Sequence, residues 1–336
     1  MPRIKHILLM LSLCSLCAVL GLFAGSLGKT ALLLDLVKPV KIRSYPDLNS
    51  FTIENLSKRQ RAESEISIER EITANQDFTG FLVNFLTFDQ SAKARKITGL
   101  LNVPKGDRRF PLVILIRGYV DQALYETGVG TRRVGEFLAS NGFITVAPDY
   151  LGYGASNEQD ANIFKARFET YTTTLDLLAS LDSIPSWDKT NLFIWAHSNG
   201  GYIALVTLEA TGQYIPTSLW APVSKAFPYS VLYYTDESAD GGKFIRSELA
   251  RFEEYHTADL FSIQPYLGKI GAPIQLHQGG ADAAVPIAWT TALASTLTKL
   301  GKQVTYFKYL DADHNMNPDW NAAIQADLEF FRSLMR

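Results

Sequence analysis

The chain has 336 residues, a formal net charge of −2 at pH 7 and 47% hydrophobic residues. It is long and apolar enough to bury a large core, and a single domain can use most of its length. The balanced charge and the lack of a basic stripe exclude a nucleic-acid partner, and the lack of internal repeats of about 20–50 residues excludes a propeller or a solenoid.

The first 34 residues predict a signal peptide or an N-terminal membrane anchor. A basic tip, residues 2–6, precedes an apolar run from Ile7 to Ala24, which is long for a signal core and about the minimum for a membrane-spanning helix. Lysine and arginine before the run favour export of the residues after it. We expect an extracytoplasmic protein, tethered to the membrane if the segment is not cleaved. The alternative is a buried N-terminal helix of the domain.

Residues 35–77 are predicted to be a linker and N-terminal extension, because they are charged and weakly patterned. Within them, the alternation of residues 65–71 is consistent with an edge strand. From residue 78 to residue 336, apolar strands alternate with helical stretches. This alternation predicts one α/β domain with a mostly parallel central sheet and helices on both faces.

A serine stands where a predicted strand becomes a predicted helix, in the sequence Ala196-His197-Ser198-Asn199-Gly200-Gly201. A serine on such a sharp turn is held in a strained conformation with its hydroxyl exposed, as in the nucleophile elbow of α/β-hydrolases. The neighbours are small because strand and helix nearly touch there, and Ala196 takes the place of the first glycine of the usual G-x-S-x-G pattern. The alternative is an ordinary turn between a strand and a helix.

The remaining members of a triad should follow the serine in the order Asp or Glu, then His. Of the five histidines, His314 is the best candidate for the base, because it follows the predicted strand 304–310 and precedes a loop that leads into the last helix. Asp282 follows the strand 273–276, so both loops leave the sheet at its carboxyl edge, where such sheets bind ligands. The alternatives are a surface-loop histidine, a helix-capping role for Asp282, and Asp313 as the acid.

These residues predict acyl transfer to water through an acyl-Ser198 intermediate. His314 would take the proton of Ser198, and Asp282 would fix the imidazole tautomer and stabilise its positive form. The oxyanion needs two backbone N–H donors, for which we select Asn199, directly after the nucleophile, and Tyr119, in the loop after the strand 111–116. The alternative for Tyr119 is an ordinary turn. We expect no cofactor and no metal.

Three further segments add to the elbow and to the Asp282 and His314 loops: residues 97–104 (ITGLLNVP), 113–119 (VILIRGY) and 146–156 (VAPDYLGYGAS). With them, about residues 78–334 resemble the catalytic domain of the prolyl oligopeptidase family of serine hydrolases, without its propeller. Arg117 departs from the family pattern, which usually has histidine or another residue before the oxyanion glycine, and Ala196 replaces a glycine.

The resemblance implies an α/β-hydrolase fold with a lid-like insertion over residues 223–268, where the periodicity breaks down. It also implies a serine-type peptidase acting on short peptides. The residues do not distinguish an amide from an ester, so a carboxylesterase acting on small esters is the first alternative. An inactive, membrane-tethered binding module is the alternative of another class.

Overall fold

The structure is a computed structural model that describes residues 45–61 and 63–336. The predicted signal or anchor segment, residues 1–34, lies outside the described residues. Among the residues that are described, no helix is both long and apolar enough to span a membrane. Asp47–Arg336 form one compact unit, and the fold below is that of this unit.

A nine-stranded sheet forms the centre of this unit. Its strands are β1 (Ser67–Ala74), β2 (Phe78–Phe88), β3 (Ala94–Pro104), β4 (Phe110–Ile116), β5 (Ile144–Pro148), β6 (Trp187–His197), β7 (Thr217–Trp220), β8 (Ile274–Gly279) and β9 (Val304–Tyr309). Their order is β1-β2-β3-β5-β4-β6-β7-β8-β9. In this spatial order, the first three pairs (β1-β2, β2-β3 and β3-β5) are antiparallel, and the remaining five pairs are parallel. The prediction of a mostly parallel sheet is confirmed.

Burial along the strands follows their position in the sheet. Every residue of β4 and β5 is buried, because these central strands are apolar runs covered on both faces. The two edge strands are different: β1 is mostly exposed, and β9 alternates between half-buried and exposed residues along most of its length. The edge strand that the alternation of residues 65–71 predicts is therefore present.

Helices cover both faces of the sheet. They are α1 (Ile53–Lys58), α2 (Arg132–Ser140), α3 (Ile163–Ser180), α4 (Asn199–Thr211), α5 (Tyr229–Leu232), α6 (Lys243–Glu253), α7 (Ile287–Lys299) and α8 (Trp320–Ser333). On one face, α2 and α8 pack around Val113 of β4 and Trp195 of β6. Alternate strand residues point to the other face, where α3 and α4 pack together with the rings of Tyr171 and Tyr202 6.2 Å apart.

A buried polar cluster fixes α8 to the sheet. The Asp327 carboxylate accepts hydrogen bonds from Trp220 Nε1 at 2.8 Å and Gln275 Nε2 at 2.9 Å, and from the Ser218 hydroxyl. His277 Nε2 lies 2.9 Å from the same carboxylate. His277 is a fully buried residue of β8, as its apolar sequence context predicts, so its ring belongs to the core.

Residues 223–268, called the insertion below, connect β7 to β8 through α5, α6 and two short 3-10 helices. The insertion is anchored to α3 by aromatic rings: Phe168 stacks on Phe261 at 4.9 Å and makes an edge-on contact with Phe227 at 5.4 Å. Short helices held by scattered aromatic contacts explain why the sequence shows no periodicity there. The role of the insertion as a lid stays a prediction.

Candidate active site

Ser198 lies at the sharp turn between β6 and α4. Its φ of 55° and ψ of −122° are strained for a residue with a side chain, a cost of about 1–3 kcal/mol. Hydrogen bonds hold the turn: the Ser198 N–H donates to the Trp220 carbonyl, and the Ser198 carbonyl accepts from the N–H groups of Gly201 and Val223, all at 2.9 Å. The local geometry is that of a nucleophile elbow.

Two glycines bring the loop after β4 against this elbow. A Cβ at Gly200 would lie 2.2 Å from the Ile116 carbonyl oxygen, and a Cβ at Gly118 would lie 2.9 Å from Ser198 Cβ. Neither position has room for a side chain. Both predicted oxyanion donors are therefore adjacent to Ser198, because Tyr119 follows Gly118 and Asn199 follows Ser198. The Tyr119 side chain itself is 76% exposed.

His314 and Asp282 are brought together by the loops after β9 and β8. His314 Nδ1 donates to Asp282 Oδ2 at 2.9 Å and lies 3.1 Å from Oδ1. The carboxylate also accepts from the N–H groups of Ala284 and Val285 and from Gln278 Nε2, each at 2.8 Å. Burial by itself would raise the pKa of Asp282, but the hydrogen bond from His314 and the backbone donors outweigh it, so the pKa is lowered. An ionised Asp282 can hold one tautomer of His314.

Asp313, the rival acid, has a different task. Its Oδ1 accepts from the N–H groups of Asn315 at 2.8 Å and Asn317 at 2.9 Å. The carboxylate thereby fixes the turn that carries His314, while the His314 ring pairs with Asp282.

His197 connects the elbow to the His314 loop, a contact that the sequence does not predict. Its Nε2 donates to the His314 carbonyl at 2.9 Å, and the two imidazole rings lie 4.5 Å apart. Burial, together with the charge of His314, lowers the pKa of His197 to about 4, so His197 is neutral near pH 7. No hydrogen bond joins Ser198 Oγ to His314 Nε2 in the described part of the chain, and such bonds often tighten only when substrate binds.

Arg117 supports the oxyanion loop, defined as residues 117–121. Its guanidinium donates to the carbonyls of Gly118 at 2.9 Å and Asp149 at 3.0 Å, and it lies 4.0 Å from the ring centroid of Tyr153. The Gly118 carbonyl and the Tyr119 N–H belong to one planar trans peptide and point in opposite directions. By holding the carbonyl, buried Arg117 orients the N–H. The sequence marked Arg117 only as a departure from the family pattern.

A cavity of about 330 Å³ lies beside the two oxyanion donors and is lined by Tyr119, Asn199, Arg117 and Arg167 among others. The size is in the range of small-ligand sites. A larger cavity of about 820 Å³, next to residues 47–61 and the end of β2, contains none of the candidate site residues. The described residues include no cluster of three or more His, Cys, Asp or Glu side chains that could hold a metal ion.

Tyr234 of the insertion packs against Trp289 of α7, with the ring centroids 6.3 Å apart. The Tyr234 hydroxyl is buried and has no hydrogen-bond partner among the described residues. Its pKa is raised by burial, then by Tyr233 and the charge of Asp282. Tyr234 is therefore within electrostatic range of the candidate triad. The sequence gave no signal for this particular residue among the scattered aromatics of the insertion.

Comparisons with known proteins agree with this geometry. The model of the prolyl oligopeptidase family matches residues 131–335, whereas no curated protein matches the chain. Acetyl xylan esterase 1 from Thermoanaerobacterium sp. is similar with a TM-score of 0.63 and 15% identity, over 85% of this chain and 94% of that one. The acetyl xylan esterase from Paenibacillus sp. R4 also has a TM-score of 0.63, with 18% identity over 82% and 91%.

Dipeptidyl peptidase 4 of Porphyromonas gingivalis is similar over a smaller part of its length. Its TM-score is 0.52 at 17% identity, over 76% of this chain but 35% of that chain. At such identities these likenesses concern the fold. Together with the sheet order and the family match, they show the predicted α/β-hydrolase fold.

Proposed function

The chain belongs to the prolyl oligopeptidase family and is a serine hydrolase, and on this premise we propose that it hydrolyses esters of small acyl groups through Ser198. The observation that carries the proposal is the joint placement of the strained Ser198 turn, the His314–Asp282 pair and a cavity of about 330 Å³ beside the oxyanion donors. A cavity of this size fits a short acyl group.

The mechanism follows from the positions of these groups. His314 removes the proton of Ser198 Oγ as the oxygen attacks the ester carbonyl, and Asp282 stabilises the resulting imidazolium. The N–H groups of Tyr119 and Asn199 bind the oxyanion. His314 then protonates the departing alcohol. In the second half of the reaction, His314 removes a proton from the water that attacks the acyl carbonyl and then returns it to Ser198 Oγ, which releases the acid.

A peptidase of short peptides is the second candidate, and the match to the prolyl oligopeptidase family model favours it. The ester assignment is supported by two similar solved structures, both acetyl xylan esterases, whose own length the chain covers to 94% and 91%. The two candidates share every step at the acyl carbonyl and differ in the leaving group that His314 must protonate.

Labelling with a fluorophosphonate probe tests the nucleophile. The probe should modify Ser198 in the wild type, and Ser198→Ala should not be labelled. Ser57→Ala, which changes a serine exposed on α1, is the matched control and should be labelled like the wild type. Modification of another residue, or none in folded protein, would contradict the assignment.

The bond specificity is tested with one acyl group on two leaving groups. The 4-nitrophenyl ester and the 4-nitroanilide of butyrate should be compared by kcat/KM, with Ser198→Ala as the background. We expect turnover of the ester and no turnover of the anilide or of a short peptide above that background. Ser198-dependent cleavage of the anilide or the peptide would transfer the assignment to the peptidase.

A further inference from the structure

We propose that the cavity beside the oxyanion loop binds a carboxylate of the acyl group through Arg167, so that the preferred substrates are esters of acidic acyl groups such as dicarboxylic acid monoesters. The inference rests on the proposed function and names the substrate class of the same site. Four observations carry it: the free hydrogen-bonding capacity of Arg167, its uncompensated charge, its contact with Asn199, and the side of the site on which the cavity lies.

Arg167 is a half-buried residue of α3 with unused donors. Its Nη1 donates to Asn199 Oδ1 at 3.0 Å. Nε and Nη2 are buried and have no partner within hydrogen-bond distance among the described residues, although the guanidinium also interacts with the Tyr171 hydroxyl. A guanidinium is always charged and carries five N–H groups, and leaving them unpaired away from water is costly. Nε and Nη2 form the edge of the guanidinium that pairs with a carboxylate through two parallel hydrogen bonds. A bound carboxylate would satisfy both.

The charge of Arg167 has no counterion among the residues that the structure describes. No carboxylate of the described residues lies within 4.0 Å of its nitrogens. Two other cations are paired: Lys165, on the same helix, with Asp160 at 2.7 Å, and Arg95 with Glu169 at 2.8 Å. The Tyr202 ring, 5.2 Å from the guanidinium, provides only a cation–π contact. The cavity wall contains two arginines, Arg117 and Arg167, and two carboxylates, Asp121 and Glu169. Glu169 is already paired with Arg95, so an anionic ligand would supply the ion-pair partner that Arg167 lacks.

The cavity lies on the acyl side of the reacting carbonyl. It is lined by the oxyanion loop, by Asn199 and by α3, but by no residue of the loops that carry His314 and Asp282. The leaving group must lie near His314, because His314 gives it a proton. The group that enters the cavity is therefore the acyl chain, and its far end meets α3, where Arg167 lies.

The test uses two esters of the same length that differ in charge. For the full chain, kcat/KM should be measured on 4-nitrophenyl hydrogen adipate, which has a free carboxylate, and on 4-nitrophenyl methyl adipate, in which it is methylated. We expect the wild type to prefer the carboxylate ester about tenfold or more, the range for a hydrogen-bonded charge pair. Arg167→Gln should reduce this preference to about one.

Lys165→Gln is the matched control, because it removes a positive charge from the same helix at a residue outside the cavity. It should keep the wild-type preference. A second measurement on the wild type does not depend on any variant: adipate should inhibit hydrolysis of the neutral ester competitively, and the uncharged adipamide should not.

The outcomes separate the two proposals. Turnover of both esters without preference, or inhibition by adipamide as strong as by adipate, overturns the anionic subsite and leaves the esterase in place. Equal losses on both esters in Arg167→Gln, with the preference intact, also overturn it, because Arg167 would then act only by positioning Asn199. No Ser198-dependent turnover of either ester overturns the proposed function and the subsite with it.

Discussion

Between pH 7.5 and pH 5, protonation linked to His197 should lower the stability of the folded protein. A His197→Gln substitution should abolish most of this pH-dependent loss. His197 has a pKa of about 4 in the folded protein, against an ordinary value of 6.5, because it is buried next to His314. As the pH falls below 6.5, the unfolded chain takes up a proton at this site before the folded protein does. The contribution to stability is therefore fully present above about pH 6.5 and is lost as the pH falls towards 4.

The magnitude follows from the two pKa values. Proton linkage for a single site with values of 6.5 and about 4 gives a loss of about 2 kcal/mol in the free energy of unfolding at pH 5. Glutamine does not titrate, yet its side-chain amide can still donate to the His314 carbonyl, which His197 Nε2 contacts at 2.9 Å. The substitution should thus change the pH dependence more than the stability at neutral pH.

Urea unfolding of the wild type and of His197→Gln at pH 7.5 and pH 5 measures this difference. At pH 7.5 His197 is neutral in both states, so the two proteins should differ by no more than about 1 kcal/mol, the typical value of one hydrogen bond. Between the two pH values the wild type should lose about 2 kcal/mol more than the variant. An equal loss in both proteins would refute the assignment of a depressed pKa to His197.

Two further substitutions test the supports of the site and of the sheet. Gly118→Ala would place a Cβ 2.9 Å from Ser198 Cβ and displace the Tyr119 N–H, so kcat should fall about 100-fold. As a control, Gly268→Ala, whose Cβ meets no atom within 4 Å, should leave kcat unchanged. An unchanged kcat in both variants would contradict the proposed oxyanion geometry. Asp327→Asn weakens the buried cluster that fixes α8 and should lower the free energy of unfolding by about 2–4 kcal/mol with kcat retained, as measured by urea unfolding; loss of kcat at unchanged stability would contradict a structural role.

The sequence was sufficient to predict site residues whose position in the fold is marked by their neighbours in the chain. Ser198 is recognisable because the residues around it are small at the boundary between a strand and a helix, and the structure gives it the positive φ that this turn requires. His314 and Asp282 follow successive strands, so a parallel sheet brings their loops to one edge. The His314–Asp282 distance of 2.9 Å agrees with that expectation, and the catalytic roles stay predictions.

Arg167 and His197 could not be identified because their partners are set by packing between distant segments. Arg167 is one polar residue on a helix whose buried face includes Phe164 and Phe168, and nothing in that pattern shows that α3 turns it towards Asn199. His197 donates to a carbonyl 117 positions further along the chain. Every residue has a backbone carbonyl, so a contact with this acceptor does not depend on residue type and cannot be predicted from a sequence pattern.

Each of the two arginines beside the predicted oxyanion site contacts a group next to one of the two predicted donors. Arg117 binds the carbonyl of the peptide that provides the Tyr119 N–H, and Arg167 binds the side chain of Asn199, which provides the other donor. Both contacts are in place before the reaction, so the predicted donors would need no reorganisation as the oxyanion develops. Esters and amides share this oxygen. The choice between their leaving groups would therefore depend on His314, which is held by Asp282 through its ring and by His197 through its carbonyl.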